Sequence, residues 1–256
     1  MDPQYIVTYL ALILARMSGA IAFNPIYGRS DFPPLARGGL TLALSFMVYI
    51  WTGGQMTVNP PTEVLAFSIA IVRELFIGFV LGFGIELAML VVRFGTAVMD
   101  YTMGLSMAQV YDPSSNAQMS VSSGIYLMFM LLIFMVNDGH VEFLKIVFQT
   151  VEDIPFGHVV ISSDLPQFVL KYFTACFALG LQFAMPVIVV EFLTEVGIGI
   201  LMRIVPQINI FAVSFQMKIA VGLVMLMVLF NPMSGFLTNI WKDMFTHLYQ
   251  SIGYFS

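Results

Sequence analysis

Long apolar stretches separated by short polar connections make up most of the chain. A helix needs about 20 mostly apolar residues to cross a hydrocarbon layer of about 30 Å. Because lipid cannot hydrogen-bond to backbone groups, such stretches form helices, and no ten-residue alternation typical of a membrane barrel occurs. The candidate spans are 5–23, 35–51, 64–92, 120–136, 172–190 and 219–241. The pattern predicts an all-α, polytopic membrane protein of about six apolar helices.

The composition supports a membrane protein and excludes several other classes. Hydrophobic residues make up 59% of the chain and charged residues 10%, against about 25% charged residues in a typical soluble domain. The mean hydropathy is +0.91, which excludes a soluble enzyme and a disordered chain. The net charge is −5, and no cluster of Lys or Arg is present to neutralise nucleic-acid phosphates. Membrane lipid is therefore an expected partner, and nucleic acid is not.

The few cations predict an orientation in the membrane. Cytoplasmic loops carry an excess of Lys and Arg. Cations occur at the first, third and fifth connections, as Arg29, Arg37, Arg93, Arg203 and Lys218. The second connection has none, and the fourth is net acidic. We therefore expect the odd-numbered connections to face the cytoplasm and both termini to lie on the other side.

Four charged residues lie inside the predicted spans: Arg16, Arg73, Glu74 and Glu86. A charge at the bilayer centre costs at least about 2.5–3.5 kcal/mol, so each needs a partner, water or a protein interior. Arg73 and Glu74 point about 100° apart on a helix, so they cannot simply neutralise each other. We interpret the charges as buried against a neighbouring helix, with a transport or proton pathway and subunit contacts as open alternatives.

Small residues and carboxylates recur every four positions in the third stretch, at Ala66, Ala70, Glu74, Gly78, Gly82 and Glu86. Four residues advance a helix by about 40° beyond a full turn, so these positions form one slowly drifting ridge. Small residues on a ridge let another helix backbone approach closely, as in the GxxxG pattern of Gly78 and Gly82. The ridge predicts tight helix packing, either within the chain or against another subunit.

The segment 103–122 interrupts the apolar pattern between the third and fourth stretches. It begins with apolar residues, and Asp112-Pro113 is then followed by Ser-Ser-Asn. Such residues favour turns, and proline biases the preceding residue away from helix. We predict a helix, a polar break and a new helix that starts near Ser120 or Ser122. The break is interpreted either as a plain cytoplasmic loop or as a re-entrant constriction.

No residue pattern in the sequence indicates an enzyme or a metal site. The three His residues are scattered and the single Cys lies in an apolar run, so metal-ligand spacing is absent. There is no nucleophile elbow and no phosphate-binding glycine loop. We expect no catalytic residue, no metal and no cofactor. The string Asn137-Asp138-Gly139-His140 is interpreted as the end of the fourth helix, with the glycine in the turn.

Several strings of residues resemble the FliR/SctT family, the single-copy T subunit of the type III secretion export gate in bacterial flagella and injectisomes. They are, in chain order, Arg16 with Asn24-Pro25, Pro33-Pro34 and Arg37; Gly104-Leu-Ser106-Met-Ala108 with Asp112-Pro113; Asn137-Asp-Gly139-His140; and Arg203-Ile-Val-Pro206-Gln207-Ile-Asn209-Ile-Phe211 with Lys218. The resemblance covers nearly the whole chain.

The resemblance implies an architecture that hydropathy does not give. In this family the protein joins several copies of a P subunit and of a Q subunit in a helical, spiral hetero-oligomer around a central pore, at a basal body in the bacterial inner membrane. By this analogy, residues 1–171 are a P-subunit-like part and residues 172–256 a Q-subunit-like helical hairpin with its tip near 191–217. Many apolar helices would then contact other subunits rather than lipid.

The resemblance also implies roles for individual residues. The segment 103–122 would be a plug loop that enters the pore and helps to close it. Its implied plug residues are Met107, Gln109, Val110, Tyr111, Asp112 and Pro113. The hairpin tip would contact the switch subunit of the export gate at the cytoplasmic entrance. Its implied contact residues are Arg203, Pro206, Gln207 and Asn209.

The favoured function is a non-enzymatic pore and gate component of a flagellar export gate, through which unfolded substrates pass. Two alternatives stay open. A stand-alone secondary transporter would be a monomer or dimer that binds a small solute at the buried charges. A structural scaffold without gating would tolerate deletion of the turn at 112–115 with no change in ion leak or secretion.

Overall fold

The computed structural model describes residues 3–28, 33–54, 63–107, 110–112, 117–204 and 210–255. The helices in this part of the chain are α1 (Pro3–Ala22), α2 (Pro34–Trp51), α3 (Val64–Met103), α4 (Val121–Val136), α5 (Gly139–Asp153), α6 (Leu165–Ile204) and α7 (Ile210–Ile252). Five of them, α1, α2, α3, α6 and α7, are long and apolar enough to cross a membrane. The broken pair α4 and α5 adds a sixth candidate if it forms one span. The predicted all-α, polytopic architecture is confirmed.

Three helices are far longer than the apolar stretches that predicted them. α3 and α6 each contain 40 residues and α7 contains 43. At about 1.5 Å per residue each is about 60 Å long, roughly twice the thickness of the hydrocarbon layer. The predicted spans 64–92, 172–190 and 219–241 therefore cover only part of each helix. The helices continue because backbone hydrogen bonds do not require apolar side chains, and Lys and Arg are good helix formers.

The connection predicted for residues 137–171 contains a helix, α5, that the hydropathy pattern missed. Its buried residues include Phe143, Ile146, Val147 and Thr150. Residues at this spacing share one face of a helix. Because the other face carries charged residues, the stretch as a whole is too polar to be recognised as a membrane span.

The break between α4 and α5 lies where the sequence placed a helix end, but its turn residue differs. α4 ends at Val136. Asp138, and not Gly139, adopts the left-handed conformation, with φ of 54°. Aspartate is one of the few residues other than glycine that occupy this region readily, and Gly139 instead begins α5.

The described helices belong to two compact units, and α3, α6 and α7 contribute to both. Unit 1 comprises Met1–Ala88, Met135–Tyr172 and Lys242–Ser256, and unit 2 comprises Met89–Phe134 and Phe173–Trp241. The predicted division into 1–171 and 172–256 rests on likeness to two subunit types. Its boundary lies inside α6, and it stays a prediction.

In unit 1, α1 and α3 approach each other more closely than side chains normally allow. A Cβ atom added at Gly78 would overlap the carbonyl oxygen of Arg16 and would lie 2.6 Å from the backbone nitrogen of Ala20. A Cβ atom added at Gly82 would lie 2.8 Å from the carbonyl carbon of Phe23. The ridge on α3 therefore contacts α1 of the same chain at Gly78 and the backbone just after α1 at Gly82.

In unit 2, α3 and α6 cross at Gly95 and Gly180. A Cβ atom added at Gly95 would lie 2.7 Å from the carbonyl oxygen of Gly180 and 2.8 Å from the ring of Phe183. α4 and α7 are joined by a hydrogen bond of 3.1 Å from Trp241 Nε1 to the carbonyl oxygen of Met130. Unit 2 thus holds together by close backbone contacts and by a buried indole that finds a partner.

We expect Gly78→Ala to destabilise the protein, because the added methyl group would meet backbone atoms of α1 rather than a side chain that can rotate away. Overpacking a core typically costs about 1–3 kcal/mol, and a backbone obstacle places this variant at the upper end of that range. The measurement is thermal unfolding of the purified chain in mild detergent.

The matched control is Gly38→Ala on α2, where an added Cβ atom meets nothing within 4 Å. Alanine favours a helix over glycine by up to about 1 kcal/mol, so this variant should unfold at the same temperature as the unaltered chain or higher. Equal unfolding temperatures for the two variants would contradict the close contact of α1 with α3.

Candidate functional site

The segment 103–122 is the irregular stretch between α3 and α4. α3 ends at Met103, and Gly104 follows with φ of 77°, a conformation that suits glycine at a helix end. A 3₁₀ turn spans Leu105–Met107. The strands β1 (Val110–Asp112) and β2 (Ala117–Met119) then form an antiparallel hairpin in which Val110 pairs with Met119. The predicted polar break is present, whereas the strand pairing was not predicted.

The implied plug residues fall on different parts of this segment. Met107 ends the 3₁₀ turn, and Val110, Tyr111 and Asp112 form β1. Gln109 and Pro113 lie outside the described residues. α4 begins at Val121, between the two predicted start positions Ser120 and Ser122.

A buried carboxylate that we did not predict joins the two ends of the segment. Asp100, in the last turn of α3, is 1% exposed. Its Oδ2 accepts a hydrogen bond of 3.1 Å from the backbone N–H of Ser122, and its Oδ1 accepts another from the Ser122 hydroxyl. The sequence signal was an acid at the end of an apolar stretch and a serine-rich start of the next, residue types that suit helix capping.

Within unit 2, the start of the segment also packs against α7. Met103 is fully buried. A Cβ atom added at Gly222 would lie 2.5 Å from Cγ of Met103, and one added at Gly104 would lie 3.5 Å from the ring of Phe215. A side chain at Gly222 would therefore displace Met103, and the absence of one lets α7 hold the end of α3.

The implied contact residues at the hairpin tip are only partly described. Arg203 is exposed near the end of α6. Pro206, Gln207 and Asn209 lie outside the described residues. The geometry of the tip therefore stays a prediction. Of the four implied contact residues, the structure describes Arg203, whose side chain is exposed.

Further along the same two helices, α6 and α7 share an ionic contact that the sequence did not reveal. Lys218 Nζ lies 3.2 Å from Glu195 Oε1. One turn before Glu195, Glu191 is 3% exposed, and neither of its carboxylate oxygens has a hydrogen-bond partner among the described residues. The predicted span 172–190 ended just before this residue, so its burial was not anticipated.

Two of the four charges predicted to be buried meet in unit 1. Arg16 and Glu74 are both fully buried, and Arg16 Nε lies 2.6 Å from Glu74 Oε2. The other guanidinium nitrogens donate to the backbone at the end of α5. Nη1 donates to the carbonyl oxygens of Thr150 and of Ile154, the residue after the helix, at 2.6 and 3.1 Å, and Nη2 donates to that of Ile154 at 3.1 Å. The guanidinium carbon lies 4.0 Å from the centre of the Phe156 ring.

This arrangement satisfies the charges and places a cation at the end of α5, which the helix dipole favours. The Thr150 carbonyl oxygen, which also accepts the Ile154 N–H at 3.2 Å, gains a second donor, and the carbonyl oxygen of Ile154, the residue after α5, accepts two guanidinium N–H groups. Glu74 completes the cluster by accepting a hydrogen bond of 2.8 Å from the Gly157 N–H. Arg73 is exposed rather than buried, so the interpretation of this charge as buried against a helix was wrong. Its Nη1 donates to the Val159 carbonyl oxygen at 3.1 Å.

The contacts of Arg16 and Glu74 weaken the interpretation of these charges as a solute site. Both charged groups already have partners within the chain, and both are closed to solvent. Glu86, the remaining predicted charge, is half-buried on α3. Among the described residues, no group of three or more His, Cys, Asp and Glu side chains could hold a metal ion.

Comparison with known proteins gives a family and a set of relatives. The family model described as bacterial export proteins, family 1, matches residues 7–244. The flagellar biosynthetic protein FliR of Escherichia coli (strain K12) is 27% identical over 239 residues, which are 92% of this chain and 89% of the relative. FliR of Bacillus subtilis (strain 168) is 27% identical over 242 residues, with coverage of 90% and 89%. Yop proteins translocation protein T of Yersinia pestis is 22% identical over 228 residues, with coverage of 87% and 85%.

Removing either partner of the Arg16–Glu74 pair should be strongly destabilising, because the other charge is left buried without its counterion. Such losses typically reach about 3–5 kcal/mol. Arg16→Lys should also destabilise the protein, since an ammonium cannot reproduce the planar fork that contacts Glu74 and two carbonyl groups. The measurement is thermal unfolding of the purified variants in mild detergent.

A double variant, Arg16→Met with Glu74→Met, should lose less stability than the sum of the two single variants, because it leaves no uncompensated charge. Lys145→Ala serves as the control. It removes an exposed ion pair with Glu142 one turn away, and such pairs contribute at most about 1 kcal/mol. Simple additivity in the double variant would argue against a coupled buried pair.

Proposed function

Because the chain belongs to the FliR/SctT family of bacterial export proteins, we propose that it is the single-copy subunit that forms and closes the pore of an export gate for unfolded proteins. Family membership confirms the resemblance found in the sequence. It makes the chain an inner-membrane component of a flagellar or type III export apparatus, with protein partners in that complex. The chain is not an enzyme.

The observation that carries the gating proposal is the break between α3 and α4. Non-helical backbone between two membrane-grade helices is tolerated only inside protein or along an aqueous path. Here the chain leaves α3 at Gly104, forms a short hairpin and enters α4 at Val121. Backbone of this kind would be costly against lipid and is well suited to a pore lined by protein.

In the proposed gate, residues 107–113 close the resting pore. Met107, Val110 and Tyr111 supply bulky apolar side chains, and methionine adapts its shape to an irregular gap. Pro113 and the Ser-Asn residues that follow are of types that favour turns, which would let the segment move aside when a substrate passes. An isolated two-stranded hairpin is marginally stable in water, so displacing it costs little.

The proposed partners are several copies each of a P-type and a Q-type subunit in a spiral hetero-oligomer. Helices of about 60 Å cannot all be covered by a hydrocarbon layer of about 30 Å. α6 and α7 nevertheless expose large apolar side chains, among them Phe192, which is 64% exposed, and Met227, which is 78% exposed. Contact with neighbouring subunits would cover the apolar surface that lipid does not reach.

The proposed contact with the switch subunit lies at the connection of α6 and α7. Arg203 offers an exposed cation there, and Gln207 and Asn209 carry amide groups that can donate and accept hydrogen bonds. Proline at position 206 cannot donate a backbone hydrogen bond. These residue types suit a polar contact with a partner at the cytoplasmic entrance of the gate.

We assign the apparatus to a flagellum, at its basal body, rather than to an injectisome. The flagellar relatives of Escherichia coli and Bacillus subtilis are each 27% identical to this chain. The translocation protein of Yersinia pestis is 22% identical. The higher identity to these two flagellar biosynthetic proteins supports the flagellar assignment.

Deleting Ser114 and Ser115 should make resting membranes leaky to ions while the complex still assembles, because a shorter segment no longer reaches across the pore. The measurement is ion conductance of membranes that contain the complete export complex, with the amount of complex quantified in parallel. The matched control, Ser114→Gly with Ser115→Gly, changes the same positions at full length and should leave the conductance low. A deletion variant that assembles and stays sealed would favour the scaffold alternative.

The assembly can be tested by native mass spectrometry of the chain purified in mild detergent after co-expression with its genomic neighbours. We expect a complex of several hundred kilodaltons that holds one copy of this chain among multiple P-type and Q-type subunits. A stable monomer or homodimer would instead favour a secondary transporter that binds a solute at the buried charges.

A further inference from the structure

We propose that Asp100 is the positioning residue that fixes the base of the segment 103–122, by holding the start of α4 against the end of α3. The proposal rests on the function proposed above, in which this segment closes the pore. It adds a specific anchor to that function, at a residue that lies outside the segment itself.

The contact between Asp100 and Ser122 closes the chain into a loop. Both carboxylate oxygens of Asp100 accept hydrogen bonds from Ser122, one from its N–H and one from its hydroxyl. The two residues are separated by 22 positions, Asp100 lies just before the segment, and Ser122 is its last residue. While this contact exists, the two ends of the segment stay together, and only the residues between those ends can move.

The contact also completes the first turn of α4. The first N–H groups of a helix have no partner within it. The Ser123 N–H donates to Ser120 Oγ at 3.3 Å, and the Ser122 N–H donates to Asp100. The carboxylate further benefits from the positive end of the helix dipole. Loss of Asp100 would leave the second N–H of α4 buried without a partner, and the helix start would fray into the segment.

The burial of Asp100 makes this contact strong and exclusive of water. Asp100 and Ser122 are each 1% exposed, so water cannot replace either partner. A charged hydrogen bond in such surroundings is stronger than one at a surface. The adjacent contacts of Met103 with Gly222 on α7 hold the same end of α3 in place. Two sets of contacts therefore fix the base of the segment. Met103 packs against α7, and Asp100 binds the start of α4.

The experiment compares Asp100→Ala, Asp100→Asn and Ser122→Ala with two controls in membranes that contain the complete export complex. Ser122→Thr keeps both donors. Thr96→Val removes a buried hydroxyl on α3, one turn before Asp100, whose hydrogen bonds among the described residues go to carbonyl groups of its own helix. The readouts are resting ion conductance and hydrogen exchange of the backbone amides, with the assembled complex quantified in each case.

We expect a conductance several-fold above that of the unaltered complex for Asp100→Ala, a smaller rise for Ser122→Ala and none for either control. Amide exchange should rise in residues 103–124 and stay unchanged in the other helices. Ser122→Ala removes one hydrogen bond and one polar atom, whereas Asp100→Ala removes two of each. The serine variant therefore keeps the test valid if Asp100→Ala fails to assemble. Exchange that rises evenly along the chain would show a merely structural role and overturn the proposal.

The deletion of Ser114 and Ser115 separates this inference from the function on which it rests. If the deletion variant conducts ions and the assembled Asp100→Asn and Ser122→Ala complexes do not, the proposed role of Asp100 is wrong and the proposed gate is supported. If neither leaks, the gate is wrong, and the exchange of residues 103–124 still decides whether Asp100 fixes the base of the segment. A leak in Thr96→Val equal to that in Ser122→Ala would also overturn the anchor.

Discussion

Helix ends buried in apolar surroundings are the constraint on which the rest of this structure depends. Their unpaired N–H and C=O groups need partners that lipid and apolar side chains cannot supply. In unit 1, the Arg16 guanidinium donates to the carbonyl oxygens of Thr150, in the last turn of α5, and of Ile154, the residue that follows α5. In unit 2, the Asp100 carboxylate supplies acceptors to the first turn of α4. Each charge has the sign that the helix dipole favours at that end.

The close packing at the glycines of α1 and α3 and the buried Arg16–Glu74 ion pair depend on each other. Glu74 and Gly78 are four residues apart on α3, and Arg16 and Gly19 are three apart on α1, so each pair shares a helix face. The absence of side chains at the glycines lets the two backbones touch, and this proximity brings the guanidinium within 2.6 Å of the carboxylate. A larger residue at Gly78 would separate the helices and also pull the charges apart, so the packing and the electrostatics depend on the same small surface.

The sequence predicted what depends on local pattern and missed what depends on long-range contact. Apolar runs gave the spans, and Asp112-Pro113 gave the break. α5 was missed because an amphipathic helix is recognised by which face is buried, and hydropathy averages that out. Asp100 and Glu191 were not singled out because their burial depends on residues distant in the chain. Arg16 and Glu74 were recognised as buried charges, yet the carbonyl partners on α5 could not be named, since α5 itself was not predicted.

The contrast between the helices and the segment 103–122 explains why motion would be confined to that segment. Residues in the interior of a helix have their backbone groups paired along it, and the end of α3 and the start of α4 are held by Asp100 and by the close contact of Met103 with Gly222. The strands Val110–Asp112 and Ala117–Met119 pair only with each other in the described part of the chain, and such a hairpin is marginal alone. The free energy needed to displace it is therefore small compared with that needed to shift α3 or α4. A gate built this way opens at its weakest element while the frame that positions it stays intact.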